Sequence, residues 1–186
     1  MEDQIQQLKY PIGKFSEHSN IDAALIESSI SDIDSFPKRL ADAVAGLSEQ
    51  QLNTPYRPDG WTVRQVVHHC ADSHMNSWIR FKLSLTENKP VIRPYFEDRW
   101  ADLPDSKEMD IEPALLLLRA LHTKWVFLLK SLNGPDLKKV YIHPEHGKEY
   151  RLDSVICLYA WHCNHDLAHI TSLKLRRGWG SGPQFS

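Results

Sequence analysis

Apolar residues recur at spacings of three and four over four long stretches of the chain, the period of helices that bury one face. In the first, Ile26, Ile30, Ile33, Leu40, Val44 and Leu47 trace one seam, and Pro37 takes the seam position that the series lacks. One amphipathic helix, kinked near Pro37, is expected there. The second stretch opens on Thr62 and Gln65, the T-x-x-Q form of a capping box, and continues through Val66, Val67, Cys70, Ala71, Met75, Trp78 and Leu83 to about Leu85. The third has Asp110 as a candidate N-cap, Pro113 in its first turn and Leu115 to Leu118, Leu121, Trp125, Leu128, Leu129 and Leu132 as its apolar face. The fourth runs from Asp153 or Ser154 to Arg177, with Lys174, Arg176 and Arg177 in its last turn and Gly178 just beyond.

Four such helices predict an all-α fold, a four-helix bundle. Val140 to His143 and Glu149 to Leu152 flank Pro144-Glu145-His146-Gly147-Lys148, the pattern of a small β-hairpin before the last helix. Residues 88 to 109, with Arg93, Tyr95, Trp100 and several prolines, read as a long irregular loop of the kind that often carries function.

The chain of 186 residues suits a single domain over 1–186, long enough for a real core. A formal net charge of -2 offers no argument for binding nucleic acid or a membrane surface. No apolar run approaches about 20 residues, and the N-terminal segment lacks the pattern of a secretory signal, so a cytoplasmic protein is expected. Cys70, Cys157 and Cys163 are odd in number and lie in helical segments, which argues for buried thiols rather than disulfides.

Ten histidines change the picture, because half of them fall in two clusters. At about 100° per residue, His165 and His169 lie on one face of the fourth helix, the spacing of a helical metal clip. His162 falls near that face and is ambiguous: a ligand, a support for a ligand, or a substrate contact. On the second helix His69 heads a stripe with Asp72, Asn76 and Arg80. Polar stripes on core-forming helices are costly unless satisfied, plausibly by each other and by a metal. Three imidazoles leave a divalent ion with an open position, as catalytic sites do. His68 is rotated about 100° from His69 and reads as a packing residue. His74, His122, His143 and His146 read as surface or hairpin residues, and Trp61, Trp78, Trp125 and Trp161 as bundle core.

The segment TPYRPDGWTVRQVVHHCADSHMNSWIRFKLSLTE at 54 to 87, IRPY at 92 to 95, LHTKW at 121 to 125 and LYAWHCNHDLAHI at 158 to 170 resemble the YfiT branch of the DinB superfamily, as does Tyr10-Pro11-Ile12-Gly13. The resemblance covers nearly the whole chain in the same order. It implies a four-helix bundle, a homodimer and one divalent metal, zinc or nickel, held by three histidines. By motif those are His69, the second histidine of WTVRQVVHH, and the pair His165 and His169. Asn164 and Asp166 stand where relatives can carry further histidines, which leaves the role of those flanking positions open.

Three functions compete. The first, the usual name for this branch, is a metal-dependent hydrolase that activates water. Its weakness is the general base: Asp72 lies on the right stripe, yet could equally orient an imidazole or pair with Arg80. The second, implied by superfamily relatives, is a thiol S-transferase that deprotonates a low-molecular-weight thiol such as bacillithiol, mycothiol or glutathione at the open position, with Arg80, Asn76 and Arg93 as candidates to hold its acidic groups. The third is a metal-stabilised binding or stress-response module without catalysis, against which three ligands instead of four argue.

Overall fold

The computed structural model describes residues 2–145 and 147–179, with side chains from residue 5 onward. His146, expected in the hairpin turn, lies outside them. In chain order the elements are α1 (Glu2–Lys9), α2 (Ala23–Val44), α3 (Glu49–Leu52), α4 (Val63–Thr86), α5 (Glu97–Ala101), α6 (Pro104–Lys107), α7 (Glu112–Lys130), α8 (Gly134–Leu137), β1 (Val140–His143), β2 (Lys148–Arg151) and α9 (Leu152–Arg177).

The four long helices α2, α4, α7 and α9 form the expected bundle. Its neighbours are α2 with α9 and α7, and α4 with α7 and α9, so the consecutive helices α2 and α4 stand diagonally, as do α7 and α9. This order needs long crossings, and α3, α8 and the β1–β2 hairpin lie in them. Crucially for function, α4 and α9 pack side by side.

Local chemistry sets the helix ends. Thr62 caps α4: its hydroxyl accepts from the Gln65 amide at 3.2 Å, and the Gln65 side chain accepts from the Thr62 amide at 2.9 Å. The Gln65 amide group also donates to the Ala101 carbonyl at 2.8 Å, tying α5 to the start of α4. Gly178 ends α9 in the left-handed conformation, φ 66°, which only glycine adopts freely. At α7 the N-cap is Ile111, one residue later than expected; Asp110 instead accepts from the Glu112 amide at 2.7 Å. The hairpin pairs Val140 with Arg151 through His143 with Lys148.

Residues 88 to 109 are not irregular throughout, since α5 and α6 lie within them and pack on α4. Helices of four or five residues carry too little apolar periodicity to be read from a pattern.

The core is centred on Phe36, Phe81, Leu118, Trp125, Leu152, Ile156 and Ile170, all essentially inaccessible to solvent. Among the largest fully buried side chains there, two are polar, His74 and His122. Both were expected at the surface. Their ring nitrogens are satisfied by one another at 2.7 Å and, from His122, by the Ile33 carbonyl at 2.7 Å, so burial leaves neither ring without partners. That carbonyl is available because α2 runs through Pro37, which has no N–H to return to the residue four positions earlier.

Candidate metal centre

Between α4 and α9 lies a cavity of about 410 Å³, lined by His69 and Val66 from α4, by Trp161, His162, His165, Asp166 and His169 from α9, and by Tyr10, Tyr56, Trp61 and Glu97 from the connections. The three histidines singled out by spacing therefore meet in one place. His165 and His169 face one another across a helical turn, Nε2 to Nε2 at 3.0 Å. Two nitrogens bound at about 2.0–2.1 Å to a tetrahedral zinc ion sit roughly 3.3 Å apart, so this pair is close to the required span.

The donors fall into two overlapping groups, His69 with His162 and Asp166, and His165 with Asp166 and His169; within each, candidate ligand atoms lie within 4.8 Å of one another. Asp166 is the carboxylate common to both. It is buried, its Oδ2 lying 3.2 Å from His162 Nδ1 and 3.4 Å from the Cys70 thiol, which donates to it. Burial alone would push its carboxyl up, but the histidines around it, His162 foremost, hold it below the usual carboxylate range. Spacing could have flagged it, since Asp166 is four residues after His162 and three before His169 and so shares their face.

Burial also keeps the imidazoles neutral, with lone pairs free for a cation. His69 and His169 are both pushed down to about 4, His169 with a further contribution from His165, and burial lowers His165 too. The cavity walls carry four carboxylates, Asp59, Glu97, Asp98 and Asp166, against Lys9 and Arg57. A net negative pocket with neutral imidazoles and a buried carboxylate suits a divalent transition ion.

Aromatic rings fix the imidazole planes. Tyr56 stacks on His169 with centroids 3.9 Å apart, Trp161 on His165 at 4.4 Å, and Trp61 leans on His69 at 4.6 Å. The Nδ1 atoms of His165 and His169 are buried without hydrogen-bond partners, so stacking holds these rings where a hydrogen bond to the far nitrogen is the commoner device. Trp61 and Trp161 are thus walls of the pocket, only half-buried, whereas Trp125 is core as expected.

The stripe on α4 divides. Asp72 and Asn76 line neither this cavity nor its neighbour; Asn76 donates to the Asp72 carbonyl at 2.9 Å, and burial with nearby Asp105 pushes the Asp72 carboxyl up to about 6. Axial rise separates the farther members from His69: at about 1.5 Å per residue, Asn76 is roughly 10 Å and Arg80 roughly 16 Å along the helix from it. Arg80 instead lines an adjoining cavity of about 480 Å³ with Ser73, Tyr95, Arg99, His143 and Tyr159. Glu97, Asp98 and His162 border both cavities. Arg93 is exposed and borders neither. His68 is buried beside the backbone of Met109, a packing position. Glu97, at the start of α5, which no sequence pattern singled out, is a carboxylate that borders the histidine cavity; partial burial pushes it up although the residue as a whole is exposed.

A family model of the DinB superfamily matches residues 33–170. The chain belongs to the DinB superfamily. Relatives in this superfamily include a protein of Bacillus mycoides (strain KBAB4), 51% identical over 175 residues, covering 94% of this chain and 100% of the relative, named "Putative metal-dependent hydrolase". A Bacillus cereus (strain 03BB102) protein of the same name is equally similar, with the same identity and coverage. Among solved structures, YfiT from Bacillus subtilis superposes with a TM-score of 0.91 at 46% identity, covering 94% of this chain and 99% of that one. It is described as a probable metal-dependent hydrolase with an unusual four-helix bundle topology.

Proposed function

We propose that the protein is a metal-dependent hydrolase whose divalent ion, zinc or nickel, is held by His69, His165 and His169 in the cavity between α4 and α9. The observation that carries this reading is the Nε2 pair of His165 and His169 at 3.0 Å, sharing one negative pocket with His69 and the buried carboxylate of Asp166. When bound, such an ion supplies Lewis acidity and lowers the pKa of water toward about 7.

The chain's own residues supply the rest. Tyr56, Trp61 and Trp161 hold the imidazole planes and keep bulk water from one wall. Glu97 borders the pocket with a carboxyl that burial raises above the usual carboxylate range, and is the candidate proton acceptor beside the ion. Lys9 and Arg57 border the same cavity and would attract an anionic substrate group.

The thiol S-transferase reading uses the same pocket, and those two cations favour it as they would suit the acidic groups of a small thiol. It differs in needing no proton acceptor beside the ion. Purified protein should contain about one ion per chain and hydrolyse members of an ester and amide panel, and Glu97→Gln should lose that activity while keeping the metal. Conjugation of thiols to electrophiles without hydrolysis would overturn the hydrolase in favour of the transferase. Tight stoichiometric metal binding by His69→Ala would overturn the ligand set.

A further inference from the structure

A line of three imidazoles runs from the core to the candidate metal pocket. It starts at the Ile33 carbonyl, which lacks the usual helical N–H partner four residues on because residue 37 is proline. His122 Nδ1 lies 2.7 Å from that oxygen, His122 Nε2 lies 2.7 Å from His74 Nδ1, and His74 Nε2 lies 3.3 Å from His162 Nδ1. His162 Nδ1 is also 3.2 Å from Asp166 Oδ2.

We infer that the carbonyl freed by Pro37 sets the proton positions of His122, His74 and His162 in turn, so that His162 commits its Nδ1–H to the core side and turns Nε2 to the pocket.

The logic is directional. A carbonyl can only accept, so His122 carries its proton on Nδ1. Buried and neutral, it then has a lone pair on Nε2, and His74 must donate to it from Nδ1. His74 Nε2 is an acceptor in consequence, and the proton between it and His162 belongs to His162 Nδ1. Asp166, an anion, accepts from the same N–H and reinforces that choice. With Nδ1 committed to His74 and Asp166, the ring's other nitrogen is the one left for the two cavities that His162 borders. His74 and His122 are buried and line neither cavity themselves; His74 reaches the pocket only through His162, so both act as positioning residues.

This inference rests on the proposed function and deepens it by fixing the direction in which His162 presents its Nε2 to a substrate polar group in that pocket. Its direction also explains why two histidines occupy a hydrocarbon core where leucines would pack: the pair transmits an orientation from α2 through α7 and α4 to α9.

Nitrogen-15 imidazole spectra of the full-length, metal-free protein test it, since they show which ring nitrogen carries hydrogen. The Nδ1–H form is expected for His122, His74 and His162, although free histidine in water favours Nε2–H. Finding Nε2–H on His122 or His74 would overturn the chain. His122→Leu should remove the constraint, and His162 should lose its single tautomer. His122→Gln keeps a donor for Ile33 and an acceptor for His74, and should retain it. An unchanged His162 spectrum in a folded His122→Leu protein would overturn control by the chain; should that variant not fold, His162 in the Nε2–H form in wild type or His122→Gln protein would do so. Because no metal is present, the result is independent of metal content and hydrolysis, which test the proposed function.

Discussion

Tyr56 lies over the imidazole of His169 with ring centroids 3.9 Å apart and planes 28° from parallel. Tyr56 is buried at the turn before α4, so a residue outside both histidine-bearing helices determines how one imidazole faces the other. His169 has no hydrogen bond to its Nδ1, which leaves the stack as its main restraint. Tyr56→Leu retains apolar volume but not the ring. Metal affinity is expected to fall about 10-fold or more, the low end for lost support of a ligand, with the fold kept. Titration with cobalt, followed optically, measures it; unchanged affinity would show that α9 alone holds the ring.

Acid should unfold the metal-free protein earlier than its carboxylates would. The sign follows from the folded values: His69, His122 and His169 are pushed down to about 4, chiefly by burial, while an unfolded histidine titrates near 6.5. The unfolded chain therefore binds more protons below about pH 6.5, and stability present above that pH is lost as pH falls toward 4. Each site contributes on the order of 3 kcal/mol over that window, large against the roughly 5–15 kcal/mol of a typical domain. Urea unfolding at pH 7.5, 6 and 5 should give steadily lower midpoints. A flat profile would contradict the neutral, buried state of these rings.

The capping box at α4 predicts a stability effect without a change in chemistry. Thr62→Ala removes the acceptor for the Gln65 amide and should cost about 1 kcal/mol. For a chain of this length that is roughly a 2–4 °C drop in Tm. Gln65→Ala should cost more, because the Ala101 carbonyl also loses its donor. Calorimetry on the two variants orders them; an equal loss would mean that the tie to α5 carries no energy.

The thiols should be inert in the folded state. Cys70, Cys157 and Cys163 are all buried, and burial raises each of them above an ordinary cysteine. Alkylation at pH 7.5 is expected to wait on unfolding, with all three sites labelled in denaturant and none within the same time in buffer. Rapid labelling of Cys70 would show that the pocket floor opens, since its thiol donates to Asp166.

Much of this was legible in the sequence where the physics is local. Thr62 and Gln65 announced the start of α4, Gly178 the end of α9, and the four-residue interval placed His165 and His169 on one face. The meeting of α4 with α9 was not local: periodicity yields apolar faces but not which faces meet, and the resemblance to the DinB superfamily supplied that step. His74 and His122 were assigned to the surface because a histidine is polar, and nothing nearby in sequence shows that an oxygen on α2 satisfies the pair. Trp61 and Trp161 were read as core for the converse reason, an aromatic ring being apolar whether it faces leucine or a histidine. Glu97 stood in a stretch too short in its helices to have a pattern, and Asp166 was set aside as a neighbour of the ligand pair although helix geometry turns it toward His162 and His169.

The diagonal order of the long helices has a temporal meaning. His69 leaves the ribosome on α4, but the helix that completes its pocket is α9, made some eighty residues later. During synthesis that histidine has no α9 beside it, and α4 has first to pack against α7. On the proposed ligand set, capture of an ion by all three histidines would therefore report that α9 has docked, and metal uptake would mark finished folding.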